Sequence, residues 1–592
     1  MLLSAALITL FSCCSWIYPL QPVDDANWYM SIGKGMLRGK LLYTDLHDQK
    51  GPLLFFLHEW AAFLSPGNFF VIYLLEVLCA FGFLTFSYRT MRLFAGHDIS
   101  LFATSLVGIV TYASNFMWYG DTVEELSLPI LLFILYKTLR YAKLDELPKH
   151  WESASIGLGM AAIFWMKFTV LAMCGGTLAA LLVLAYSQGH LTLLWRSLIW
   201  VLVGAAILTA LVLLYFVLHG NGADLYYSYF WFNICLYSNR GDSAEVWWAA
   251  PAKWMGLALL VLFAYTRRVS ANVKLAVTLC WLTTLLPFVL FKVYIYYFLT
   301  VFVFAPLLIY FVRNIRHRAV LYTIATVVSL PAVCTNFNFM TLLTGYFPTA
   351  VLPLAKTVND DTDPDKQILT VNSYDTGIYT LTDCLPPIKF FSTPNAYVEE
   401  LVCEQTAYLE SRKAKYLALK TDGFAHYYGD FHPDLTRDYD LIQETSCVYR
   451  PEFILEPLEF LWTLGYMKTF IERFHTPEGR LVVYRLYRLK GAKSERIEPK
   501  GLVGEWEGTA EDGTRCVLSF SEYRLARCRI YQGKELKSDK TYSYTSGDAE
   551  LRLGYIYTGE TFQTAKITGM SATRLVLCGW PQKREISLQR KQ

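Results

Sequence analysis

Residues able to do chemistry gather between Asp24 and Leu57, in DDANWYMSIGKGMLRGKLLYTDLHDQKGPLLFFL. Asp24 and Asp25 directly follow an apolar run. A carboxylate placed there, at the surface of a membrane, can take a proton from an acceptor hydroxyl. The same residue type is also favoured at helix starts, so capping is an equally simple use of the pair. Lys50 stands beside Gly51 and Pro52, which makes a cation on a rigid turn, suited to holding a phosphate. Asp45, His47 and Asp48 offer metal-ligand atoms, but their spacing in a loop reads more simply as a solvated turn. A second acidic group stands in YGDTVEELSLPILLF, where Asp121, Glu124 and Glu125 precede another apolar run. Acids at a helix N-terminus also complement its dipole. Within apolar segments, Glu76, Lys167 and Lys292 are the notable ionisable residues. Such groups face a cavity or a partner, or snorkel when near a span end, as Lys167 and Lys292 are. The segment YYSYFWFNICLYSNRGD supplies aromatics for an interface belt or for sugar stacking, and Arg240 for a phosphate.

The elements that must position these residues are membrane spans. The chain has 592 residues, 54% of them hydrophobic and 17% charged, with a mean hydropathy of +0.31. Charge is sparse before about residue 340 and ordinary after it, as in a membrane half joined to a soluble half. Residues 1–20 are apolar and long enough to span. They have no basic leading region and no small-residue cleavage site, so they read as a helix and not as a signal peptide. Further spans are expected at 69–88, 97–117, 125–141, 154–170, 172–187, 197–218, 252–267, 272–291, 293–312 and 319–337, about eleven in all. The stretch 154–187 must be cut between Lys167 and Gly176.

Arg89, Arg92, Arg140, Lys143, Lys149, Arg196, Arg267, Arg268, Arg313, Arg316 and Arg318 all fall on one face if the N-terminus is cytoplasmic. The loops 21–68, 118–124 and 219–251, with everything after about 340, then face the other side. NWYMSIGKGMLRG is expected to lie along the interface as a short helix.

Residues 341–490 mix short strands and helical stretches, as in a small α/β domain. GAKSERIEPK is a polar linker. Residues 501–592 alternate apolar and polar residues between turns, as in an antiparallel meander or small barrel. The net charge is only +3 and no basic block appears, which argues against nucleic-acid binding. Thirteen cysteines show no CxxC spacing, and their pairing cannot be deduced from spacing alone.

The Asp24–Leu57 stretch resembles the first external loop of the GT-C glycosyltransferases. More narrowly, it resembles the bacterial branch related to protein O-mannosyltransferases and the lipid A aminoarabinose transferase. That loop combines an acidic pair, an aromatic, a small-residue helix, a G-x-x-x-Y-x-D segment and K-G-P-L. Here Asp24–Asp25, Tyr29, Gly39, Tyr43, Asp45 and Lys50–Gly51–Pro52–Leu53 fill those places. YGDTVEELSLPILL is similar to the family's second acidic segment, FWMKFT to its lysine-bearing span, and FKVYIYYFLTVFVFAPL to its late span with an aromatic pair and a proline. The resemblance covers roughly residues 1–340. GEWEG followed by a meander loosely resembles small lipocalin-like barrels.

The resemblance implies a polytopic GT-C-like helical membrane protein of the inner (plasma) membrane. Such an enzyme moves a sugar from a polyprenyl-phosphate carrier to a lipid, glycan or protein acceptor on the external face. It implies Asp24 as general base, with Asp25 beside it. Asp121, Glu124, Glu125 and Tyr29 would position acceptor or sugar, and Lys50, Lys292 and Arg240 would hold the donor phosphate. Some members carry an acid just before the loop lysine. Gln49 stands there in this chain, so no cofactor and no obligatory metal are expected. A transporter or flippase, or a non-catalytic assembly protein for a lipid-linked saccharide, are the alternatives. Transporters often show internal repeats, and none is evident.

Overall fold

The computed structural model describes residues 1–237, 269–290, 295–315, 317–334, 336–344, 347–361, 363, 365–371, 377–391, 398–421, 435–448, 481–490, 502–510, 512–520, 525–546, 550–554, 561–581 and 585–591. Arg240, Lys292, Arg267, Arg268, Arg316, the expected span 252–267 and the linker GAKSERIEPK lie outside these residues. The chain divides into two compact units. Met1–Thr349 form the first, and the described residues from Ala350 onward form the second.

The first unit is helical. Its helices are α1 (Leu2–Phe11), α2 (Asp24–Leu37), α3 (Pro52–Leu64), α4 (Phe70–Arg92), α5 (His97–Tyr112), α6 (Val123–Leu144), α7 (His150–Lys167), α8 (Ala172–Ser187) and α9 (Leu191–His219). Ala271–Leu290, a 3-10 segment Ile295–Leu308 and Arg318–Cys334 follow. α2 packs along α3, α4 along α6, α7 along α9, and Ala271–Leu290 along α8.

Among the described residues, four helices are long and apolar enough to cross a membrane: Phe70–Arg92, His150–Ser187, Leu191–His219 and Ala271–Phe288. A fifth span results if Arg318–Cys334 and Phe337–Leu343, bent by 65°, are taken as one. The described residues thus form a helical fold with four to five apolar spans and a β region after them. α9 shows the membrane character most plainly, since Leu202, Leu211, Val217 and Leu218 all point outward. Apolar exposure on that scale needs an apolar surround.

Two expectations are corrected. Residues 1–20 are not one helix, because α1 stops at Phe11. Beyond it the chain leaves the helix: Cys13 N donates to Tyr119 O at 2.9 Å, and Pro19 and Pro22 have no N–H with which to resume. α2, expected along the interface, has its residues Ala26 to Met36 all buried in the protein. The described part of 219–251 is not a loop, because Gly222–Leu225 and the π-helix Tyr226–Tyr237 fill most of it. The cut expected between Lys167 and Gly176 falls on a 3-10 turn at Phe168–Leu171.

In the second unit, strands β1 (Ile368–Thr370), β2 (Tyr416–Thr421), β3 (Tyr439–Val448) and β4 (Leu481–Leu489) form a mixed sheet in the order β1-β2-β4-β3. Eight further strands follow: β5 (Gly504–Thr509), β6 (Thr514–Phe520), β7 (Leu525–Gln532), β8 (Glu535–Ser546), β9 (Glu550–Gly554), β10 (Thr561–Met570), β11 (Arg574–Cys578) and β12 (Glu585–Arg590). Each pairs antiparallel with the next, and β12 pairs with β5 to close the sheet. The interior is filled by side chains, among them Trp506, Phe520, Tyr544, Leu577 and Trp580. The closing seam is short, with only Gln589 opposite Glu507 and Arg590 opposite Trp506. Side chains reinforce it. The Arg590 guanidinium lies 4.7 Å from the centre of the Trp506 ring and donates to Val503 O at 2.7 Å, and Lys591 Nζ donates to Glu505 Oε1 at 2.8 Å.

Candidate active site

The acidic pair opens α2. Val23 holds the N-cap position and no side chain caps the helix, so Asp24 and Asp25 stand in its first turn. Negative charge there is stabilised by the helix dipole. Both are half-buried. Asp25 Oδ2 accepts from the Tyr296 hydroxyl at 3.2 Å. One turn on, Tyr29 is buried between the rings of Phe55 and His58, with centroids at 6.0 and 5.4 Å. Burial pushes its phenol well above the usual range.

Lys50 sits on a turn held through its backbone. Its N–H donates to Asp48 Oδ1 at 2.7 Å, and its carbonyl accepts from the Tyr43 hydroxyl at 2.5 Å. Gln49 O accepts from Asn233 Nδ2 at 2.7 Å, and Gly51 N donates to Met166 O at 2.9 Å. That last bond fastens the turn to the end of α7, next to Lys167. Gly51 has to be a glycine, since a Cβ there would lie 2.0 Å from Trp165 O.

Lys167 is the centre the sequence reading left open. Its Nζ pairs with Glu124 Oε1 at 2.6 Å and lies 3.4 Å from the Tyr297 ring centre and 5.6 Å from that of Tyr296. Lys50 and Asp25 both lie within electrostatic reach of it. The structure therefore brings Asp25, Lys50, Glu124, Lys167, Tyr296 and Tyr297 to one place. These residues come from α2, the Lys50 turn, α6, α7 and the 3-10 segment. Carboxylates and cations face each other there across aromatic rings, inside an apolar bundle where each charge acts strongly.

Behind this place lies a more deeply buried group. Thr122, and not an acid, caps α6, with its side chain accepting from Glu125 N at 3.2 Å. Asp121 adopts a left-handed backbone, φ 56°. Its Oδ2 lies 2.9 Å from His58 Nε2, and both residues are sealed from solvent. Burial pushes the Asp121 carboxyl above the usual range, and the adjacent His58 opposes that shift. Glu76 Oε1 accepts from Asp121 N at 2.7 Å, and Glu76 also receives the Ser12 hydroxyl. Glu125 is fully buried beside Glu76.

The Asp45–His47–Asp48 group is turn structure. Asp45 Oδ2 accepts from Leu41 N at 2.7 Å, His47 Nδ1 meets Ser228 Oγ at 3.1 Å, and Asp48 serves Lys50 N. Among the described residues no group of three or more His, Cys, Asp or Glu side chains is arranged to hold a metal ion. Sequence reasoning left the roles of Lys167 and Glu76 open, named Tyr296 and Tyr297 only as a motif, and passed over His58. The cue available for Lys167 and Glu76 was an ionisable residue inside an apolar run.

No protein-family model and no curated protein matches the chain. Solved structures do. ArnT from Cupriavidus metallidurans bound to undecaprenyl phosphate superposes with a TM-score of 0.51 at 12% identity, covering 75% of this chain and 95% of that one. The same protein in the apo state gives 0.46 at 13% identity, covering 70% and 90%. The Archaeoglobus fulgidus oligosaccharyltransferase, in a complex with Zn and sulfate, gives 0.39 at 12% identity, covering 100% and 97%. The likeness to undecaprenyl-phosphate-bound ArnT is one of fold: over three quarters of its length this chain shares the ArnT architecture.

Proposed function

We propose that the chain is a membrane glycosyltransferase that moves a sugar from a polyprenyl phosphate to a hydroxyl of a lipid, glycan or protein acceptor. The observation that carries this reading is the meeting of Asp25, next in sequence to Asp24, with Lys50 and Lys167 in a fold shared with ArnT, a protein seen bound to undecaprenyl phosphate. Asp24, with Asp25 beside it, takes the acceptor proton. The acceptor oxygen attacks the anomeric carbon, the bond from that carbon to the phosphate oxygen breaks, and the polyprenyl phosphate leaves with the electron pair. Lys50 and Lys167 meet the charge that grows on the leaving phosphate, and Arg240 and Lys292 are further candidates for that task. Glu124 and Tyr29 shape the acceptor side. The positive-charge pattern puts the N-terminus in the cytoplasm, the reaction on the outer face of the inner membrane, and the second unit outside with it.

The test is Asp24→Asn and Asp25→Asn in membranes supplied with a polyprenyl-phosphate sugar. Loss of a general base costs about 10²- to 10⁴-fold in rate, with donor binding unchanged. Full transfer by both variants would remove this mechanism. Lys50→Ala is expected to weaken the apparent donor affinity. The reaction needs no metal in this scheme, so transfer after chelation with EDTA is expected to equal that before it.

A further inference from the structure

Asp121 is almost fully enclosed, at 1% exposure. Its only side-chain hydrogen bond among the described residues goes to His58. The other ring nitrogen of His58, Nδ1, lies 2.8 Å from the Leu54 carbonyl. A carbonyl only accepts, so Nδ1 carries a hydrogen. One further proton must then lie between Nε2 and Oδ2, on either side of the bond. In both placements the pair is neutral overall, as deep burial requires.

The place of the pair in the fold gives it a use. α2 and α3 touch backbone to backbone at His58, since a Cβ on Gly33 would lie 2.5 Å from the His58 carbonyl carbon. α2 begins with Asp24 and Asp25, and α3 begins two residues after Lys50. The ring of Tyr29 leans on that of His58. On the other side, Asp121 belongs to the turn before α6, which Glu76 of α4 holds through the backbone.

We infer that His58 and Asp121 are a positioning pair for the transfer reaction, a proton-sharing clasp that fixes the α2–α3 hairpin, with its acids and Lys50, against the turn leading to Glu124. The inference rests on the transferase reading and deepens it. The ionisable groups within reach of Asp121 are Asp25 and Tyr29 from α2, Glu76 from α4, Glu125 from α6 and Cys14 after α1. None of these becomes a cation. Among the described residues, His58 is what balances the Asp121 charge.

The experiment uses the full chain in lipid nanodiscs. His58→Gln keeps a hydrogen-bond donor but cannot hold the extra proton. Asp121 must then take up its own proton to stay neutral, and it loses that proton as pH rises. As pH rises above the unfolded carboxyl pKa of about 3.9, the Tm and kcat of His58→Gln are expected to fall more steeply than those of the wild type. The fall in kcat should be about tenfold or more, with KM for the donor within about threefold. Adding Asp121→Asn to His58→Gln should remove that extra steepness in both quantities. A His58→Gln chain that follows the wild-type pH profile in Tm and kcat overturns the proposal, as does a uniform loss with an unchanged profile. The Tm measurement reads the clasp without turnover. A wild-type chain that transfers from no polyprenyl-phosphate sugar would therefore sink the transferase reading separately.

Discussion

At the scale of single residues, the decisive contacts join positions far apart in the chain. Lys167 reaches Glu124, 43 residues away, and His58 reaches Asp121, 63 residues away. Both members of the first pair are largely buried. Removing one partner leaves a buried charge and costs about 3–5 kcal/mol, whereas removing both costs far less. Lys167→Met is accordingly expected to lower the thermal stability of the chain markedly. The double variant Lys167→Met with Glu124→Gln should recover most of the loss, yet still bind donor weakly. Recovered donor affinity in the double variant would count against a phosphate role for Lys167. The acids and Lys50 could be picked out from the sequence because they break apolar runs in a compact stretch. His58 could not, since one histidine inside PLLFFLHEWAAFL looks the same whether it faces a partner or lipid. Only the packing of α3 against the Asp121 turn reveals its partner.

At the scale of elements, local pattern predicted where helices stand better than what they face. The apolar runs around α4 to α9 mark helices, and the weak point expected between Lys167 and Gly176 is a real break in winding. The early end of α1 rests on side-chain and backbone bonds made with residues near 119, which no local pattern records. The burial of α2 also depends on its neighbours, because an amphipathic sequence fits an interface and a helix-lined interior equally well. Two substitutions read these elements. Gly51→Ala forces a methyl into the Trp165 carbonyl, so the Lys50 turn must shift. Destabilisation of about 1–3 kcal/mol and a raised KM for donor are expected, and an unchanged KM would show that the turn does not position the donor. Thr122→Ala removes the α6 cap and should cost about 1 kcal/mol in chemical unfolding, with the pH profile of the His58–Asp121 pair left intact.

At the scale of the whole molecule, the helical unit and the β region after it answer to different conditions. In the second unit, hydrogen bonds from Lys415 and from the Tyr416 hydroxyl hold the Asp361 carboxyl well below the usual carboxylate range. Lys415 lowers Asp363 in the same way. A carboxyl lowered on folding contributes stability above its unfolded pKa of about 3.9 and loses it as pH falls through the folded value. The second unit should therefore weaken in strong acid. Lys415→Met should remove much of that acid sensitivity, and unfolding of the full chain followed by hydrogen exchange at β2 would show it. The alternating pattern after residue 501 announced an antiparallel meander or small barrel. The register of the seam that joins its last strand to its first was not legible, because pairing across some eighty residues leaves no local mark.

That seam also sets an order of events during synthesis. Seven of the eight pairings in the closed sheet join strands that are neighbours in sequence, so each can form as soon as its second strand emerges. The eighth must wait. Until residues 585–591 are made, β5 presents an open edge with Trp506 uncovered, available to any passing strand. A chain interrupted before Arg590 would leave an open, protease-sensitive curl of sheet where a chain that includes β12 has a sealed one. The short closure of β12 on β5 is thus the last pairing the sheet can make.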